Sequence, residues 1–141
     1  MSEQSELITG DLSPATVVVS RVVACPVKRV WKELISVTGA EALLGPGARF
    51  GEKGQTWAST DGRSGVVRTL HPLEEIRFTC RRGDQSGAGS GGPSMVQIDL
   101  LPSGDATTLT VTHSNLGDVD PEQAQERWQH ALTRIGDCLT I

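Results

Sequence analysis

The chain has 141 residues, of which 37% are apolar and only 4% aromatic, so one aliphatic core burying roughly two-thirds of the chain surface is the expected build. The net charge of −4, with no block of like charge, argues against an electrostatic grip on nucleic acid or anionic lipid. Apolar runs are too short to span a bilayer, and Cys25, Cys80 and Cys138 form no CxxC pair, which excludes a disulfide framework and a locally spaced metal site.

Met1–Ser13 reads as a polar N-terminal tail, with no basic and apolar leader pattern in its first ten residues, so a cytoplasmic protein is expected. Residues 14–141 read as a single domain. Ala15–Cys25 is a β-branched run in which Val17, Val19, Arg21, Val23 and Cys25 share one face. Arg21 is the odd member of that face and requires a carboxylate, backbone carbonyls or cavity water there. Pro26 ends the strand and opens a helix whose stripe is Val27, Val30, Trp31, Leu34 and Thr38, with Gly39 as its expected stop. Glu41–Leu44 predicts one more helical turn, closed by Gly45-Pro46-Gly47.

From Ala48 the pattern turns antiparallel. Short strands are expected at Arg49–Glu52 and Gln55–Thr60, then a hairpin turn at Asp61-Gly62. In Gly65–His71, Val66, Arg68 and Leu70 alternate against Val67 and Thr69; Ile76–Arg82 follows after Pro72–Glu75. Gly83–Pro93 is glycine-rich without apolar periodicity and reads as a solvated loop. Ser94–Leu101 and Thr107–Ser114 form the last hairpin, the second with Leu109, Val111 and His113 on one face.

Asp120-Pro121-Glu122-Gln123 is a helix start, with Asp as N-cap and Pro in the first turn. Ala124, Trp128, Ala131, Leu132, Ile135 and Leu139 recur at spacings of three and four and form one apolar stripe. Arg127 and its charged neighbours fall mostly on the other side. A strand, two short helices, a set of antiparallel strands and a long helix make an α+β protein. A curved antiparallel sheet of about six to seven strands should wrap the C-terminal helix and leave a cavity between them.

That order, together with Val19-Ser20-Arg21, Cys25-Pro26, Val30-Trp31, Gly65-Val66-Val67 with Pro72, Ile76-Arg77-Phe78-Thr79, Thr108–His113 followed by Leu116, and Trp128 with Leu132, resembles the START-like or SRPBCC superfamily, the helix-grip fold. Within it the chain resembles the branch named after the activator of the ninety-kilodalton heat-shock protein ATPase. Arg127 departs from that branch, which commonly has Gly at this position. The resemblance covers about Ala15 to Leu139 and implies functions of several kinds, because lone-domain relatives include small-molecule binders, polyketide cyclases and self-resistance proteins. The scarcity of aromatics argues against a large planar ligand.

Three functional readings follow. The first is a binding protein for a hydrophobic or amphipathic small molecule, with Val19, Arg21, Val23, Leu109, Val111, His113 and Trp128 around the ligand. The second is a cyclase- or hydrolase-type enzyme acting on a natural-product-like ligand through Arg21 and His113. The third is a protein-interaction module, chaperone-associated or homodimeric. His130, Arg68 and Asp99 are further polar candidates. No G-x-S-x-G, phosphate loop or thiol-activating context is present, so no catalytic set, cofactor or metal is expected and binding is preferred to catalysis.

Overall fold

The computed structural model describes residues 16–82, 93–116 and 120–139, without the side chains of 82 and 137–139. The N-terminal tail, the loop expected at Gly83–Pro93 as far as Gly92, and the side chains of Cys138 and Leu139 lie outside the described residues. Strand β1 is Val17–Val23, with Val17, Val19 and Val23 buried and the intervening Val18 and Val22 exposed. Pro26 is the N-cap of helix α1, Val27–Leu34: at φ −64° and ψ 153° its backbone is still extended, while its carbonyl accepts from Arg29 and Val30.

Helix α2 is Val37–Leu44, two turns where the sequence suggested one. The stop belongs to Ile35 and Ser36, not to Gly39. The Ser36 hydroxyl donates to the Glu33 carbonyl at 2.6 Å and accepts from the Gly39 amide at 3.2 Å, ending one helix and capping the next. Gly39 is helical, and a Cβ there would strike the Glu33 and Leu34 carbonyls at the end of α1. Glycine is thus used for close approach of the two helices rather than for termination.

The expected strand at Arg49–Glu52 does not form. Gly51 at φ 62° and Gly54 at φ 90° turn the chain out of the extended region, and Ala48 and Phe50 are instead tucked into the core. Strand β2 is reduced to Thr56–Ala58, and β3 (Arg63–His71), β4 (Glu75–Arg82), β5 (Ser94–Ser103) and β6 (Ala106–Ser114) complete an antiparallel curved sheet of order β1-β6-β5-β4-β3-β2. A bulge between Val67 and Thr69 inserts Arg68 as an extra residue. It shifts the alternation, so Leu70, opposite Ile76, joins Val67 on the inner face instead of Val66 and Arg68.

Helix α3, Pro121–Leu139, lies on the inner face. The Asp120 carboxylate accepts from the Glu122 amide at 3.2 Å, as an N-cap should. Ala124, Trp128, Ala131, Leu132 and Ile135 are all buried against the sheet's Val19, Val23, Leu109 and Val111, so the stripe read from the sequence docks as expected. The α3 backbone runs close to β1, α2 and α1 and only marginally near β6. Over β3, β4 and β5 the space beneath the helix is spanned by side chains. No helix of the described residues is long and apolar enough to cross a membrane.

Candidate functional site beneath the C-terminal helix

Antiparallel register carries the inner-face residues from strand to strand. Val17 stands opposite His113, which stands opposite Val96, and Val96 opposite Phe78. One layer along, Val19, Val111, Ile98 and Ile76 form a second row. These rows are the floor, and Trp128, Leu132 and Ile135 are the roof. Trp128, Leu109 and Val111 have no solvent exposure at all, so no water-sized space borders them.

His113 sits in the first row and both ring nitrogens are engaged. Nε2 lies 2.8 Å from Ser94 Oγ, and Nδ1 accepts from the Trp128 indole N–H at 3.0 Å. Ser94 in turn donates to the Cys80 carbonyl at 3.1 Å. That bond uses the serine hydrogen, so Nε2 is the protonated nitrogen of a neutral imidazole. The indole also meets the imidazole edge-to-face at 84°. Burial drives the His113 pKa down to about 4, and the Arg127 charge adds to this. A neutral ring with both nitrogens committed is a positioning element of the wall.

Arg21 stands four residues away along the same sheet edge, opposite Leu109, about 13 Å from the His113 position at ~3.3 Å per residue. The two polar candidates are not brought together, so they do not act on one reacting atom. Arg21 instead lies across the last turns of α3. Its Nη1 donates to Thr133 Oγ1 at 3.4 Å, and a Cβ on Gly136 would come within 2.8 Å of its Nε. Its buried Nε has no hydrogen-bond partner among the described residues. No basic residue occupies the last turn of α3, so this guanidinium supplies the cation that the helix C-terminus favours.

A polar group missed by sequence reasoning occupies the other end of the helix. Arg127, expected on the wet side, is half-buried, with its guanidinium 4.2 Å over the Trp128 ring. It donates to the Leu43 carbonyl at 3.0 Å and lies beside the Cys80 side chain. Arg63, on β3, adds a second guanidinium, bonded at 2.7 Å to Asp61, which also accepts from Ser59. Burial pulls the Asp61 carboxyl upward, but Ser59 and Arg63 outweigh it and hold it below its ordinary value. Burial lowers the Arg127 pKa; Cys80 and Asp61 oppose that fall and Arg63 reinforces it. The signals were present: Arg127 is three residues after Ala124 and four before Ala131, at the stripe's border, and Cys80 and Ser94, each two residues from Phe78 and Val96, share their inner face.

The remaining candidates are elsewhere. His130 and Arg68 are exposed. Asp99 accepts from Gln97 at 3.1 Å on the outer face of the sheet. There it lines an open cleft of about 470 Å³ with Glu74, Glu75 and Thr110.

A profile of the family described as Activator of Hsp90 ATPase homolog 1-like protein matches residues 25–140. No curated protein matches the chain. Among solved structures, a protein from Chromobacterium violaceum is 21% identical at a TM-score of 0.71, over 87% of this chain and 95% of that one. The Aha1 dimer from Colwellia psychrerythraea is 16% identical at a TM-score of 0.72, over 90% of this chain and 97% of the other. An HSP90 activator from Plasmodium falciparum is also 16% identical at a TM-score of 0.72, over 89% and 96%. At these identities the likeness is one of fold, and it is the helix-grip fold with two short helices after the first strand.

Proposed function

We propose that this chain, which belongs to the Activator of Hsp90 ATPase homolog 1-like family, binds an apolar or amphipathic small molecule between the concave face of its sheet and helix α3. The observation that carries this reading is the uneven seating of the helix. Its backbone is held close to β1, α1 and α2 and stands farther from β3–β5, where side chains fill the interior. Space can therefore open there by rotamer changes of residues such as Phe78 and Ile98, without breaking sheet hydrogen bonds. A pocket so formed has apolar walls with few polar groups, the usual make-up of a small-molecule site. Ile76, Phe78, Val96 and Ile98 would face the ligand body under Trp128, with His113 holding Trp128 in place, while Val19, Val23, Leu109 and Val111 close the end where the helix is seated and Arg21 lies beyond them.

The test uses a neutral probe, the methyl ester of 11-(dansylamino)undecanoic acid, titrated into the folded protein. Saturable one-to-one binding is expected, with the unfolding free energy raised by about 2.7 kcal/mol at a hundredfold excess over Kd. Ile98→Trp, which crowds the packed side chains that must move for the space to open, should weaken binding. No saturable binding, or binding indifferent to Ile98→Trp in a folded variant, ends the reading.

A second reading rests on the opposite face. Val18, Val22 and Leu101 are 58%, 67% and 67% exposed there, and Val22 and Leu101 both stand opposite Thr108. Three large exposed apolar side chains on one sheet face, spaced by Ser20 and Thr108, suit a protein partner, either a second copy or a chaperone. The Colwellia relative is a dimer and the Plasmodium relative an HSP90 activator, which supports this alternative.

A further inference from the structure

Arg127 is held by neutral groups. Its partners are the Leu43 carbonyl, the Cys80 side chain and the face of Trp128, and among the described residues no carboxylate lies within 4 Å of it. The nearby carboxylate, Asp61, is committed to Arg63 and Ser59. Two guanidiniums thus face one carboxylate at the edge of a largely apolar interior, leaving one positive charge over. A half-buried guanidinium gives up water, and a carbonyl, a thiol and an indole face replace only part of what it loses. Arg21 has the C-terminal end of α3 beside it; Arg127, in the N-terminal half of that helix, has no such compensation.

The arrangement is also preorganised. The Trp128 ring beneath Cζ and the bond to Leu43 hold the guanidinium in place, and a guanidinium carries paired N–H groups of the kind that take a carboxylate or phosphate in two parallel hydrogen bonds. Trp128 links this charge to the ligand space, because the same indole that carries Arg127 is bonded to His113, in the row with Val96 and Phe78. A molecule whose apolar body lies under α3 would reach Arg127 with its head.

We propose that the molecule bound beneath α3 carries an acidic head group and that Arg127, assisted by Arg63, holds it. This rests on the small-molecule reading above and narrows it to amphipathic anions. An apolar interior alone would not discriminate between an acid and its ester; a spare, fixed guanidinium at its edge would.

The experiment compares 11-(dansylamino)undecanoic acid with its methyl ester on the wild-type chain, Arg127→Gln and Arg127→Lys, at neutral pH. The wild type should bind the acid about tenfold or more tightly than the ester, the scale of one charge-assisted contact. Arg127→Gln should erase the preference while ester affinity stays within about twofold, and Arg127→Lys should retain part of it. Equal wild-type affinities for acid and ester overturn the inference and leave the apolar site standing. Ester failing to bind as well removes both. A preference that survives Arg127→Gln intact assigns the head group elsewhere and also overturns it. Should Arg127→Gln not fold, the wild-type ratio still decides, and Arg63→Gln, which must lower that ratio, replaces it.

Discussion

His113 shows how one buried side chain fixes a pH dependence. Folded, it is a neutral imidazole with Nδ1 receiving the Trp128 N–H and Nε2 bonded to Ser94. A second proton would have to sit on Nδ1 and point at another donor. The folded pKa is about 4, against an ordinary value of 6.5. Above pH 6.5 neither the folded nor the unfolded chain protonates the ring, and its contribution is complete. As the pH falls below 6.5 the unfolded chain takes up a proton that the folded chain refuses, so stability falls until about pH 4, where the folded ring titrates too. The loss is at most ~3 kcal/mol. His113→Gln keeps an acceptor for Trp128 and a donor for Ser94 but cannot titrate. Urea unfolding of both proteins between pH 7 and 4 should show a steeper decline in the wild type; parallel declines would show that the ring is not shielded.

At the scale of elements, the junction of α1 and α2 makes a prediction against the usual sign. Gly to Ala inside a helix normally stabilises by about 0.5–1 kcal/mol. At Gly39 the added Cβ would meet two backbone carbonyls of α1, which cannot rotate away as a side chain can. Gly39→Ala should therefore destabilise by roughly 1–3 kcal/mol, the cost of forcing packed elements apart, and a more stable variant in thermal unfolding would disprove the close crossing. This junction also marks a limit of sequence reading. A glycine after an apolar stripe looks like a C′ stop, and only the packing of two helices shows that it sits in the third residue of the second. Periodicity succeeded where one face meets one partner: β1, β6 and α3 came out with their buried faces correctly assigned. It failed where geometry is set by a third element. Arg68 is looped out by a bulge, and Phe50 is buried from a loop that two left-handed glycines bend. The same limit hid part of the candidate site. Arg21 and His113 were legible as polar members of inner faces, whereas the Arg127, Cys80, Ser94, Asp61 and Arg63 group assembles from four separate elements and the turn between β2 and β3.

The molecule as a whole uses its two sheet faces unequally. The inner face is closed by α3 and by the two short helices, whereas the outer face carries Val18, Val22 and Leu101 among threonines, on β1 at the sheet edge and on β5 two strands in. None of the three contributes to the core, so replacing Val22 and Leu101 with threonine should cost within about 0.5 kcal/mol each, as for surface changes. Threonine keeps the β-branch that suits a strand, and so the double variant isolates the loss of apolar surface from any loss of strand propensity. If this strip is covered by a second copy, sedimentation equilibrium of the wild type will show a concentration-dependent dimer, and the double variant will be monomeric over the same range with an unchanged melting temperature. A wild type that stays monomeric throughout removes self-association as the use of this face. A double variant that still dimerises moves the interface off the strip, with the free edge of β1 as the next surface to test. Because the substitutions lie on the face opposite α3, binding of the dansyl ester should be the same in both proteins. A change in that affinity would mean that the two faces are coupled through the sheet, and the two functional readings could no longer be tested apart.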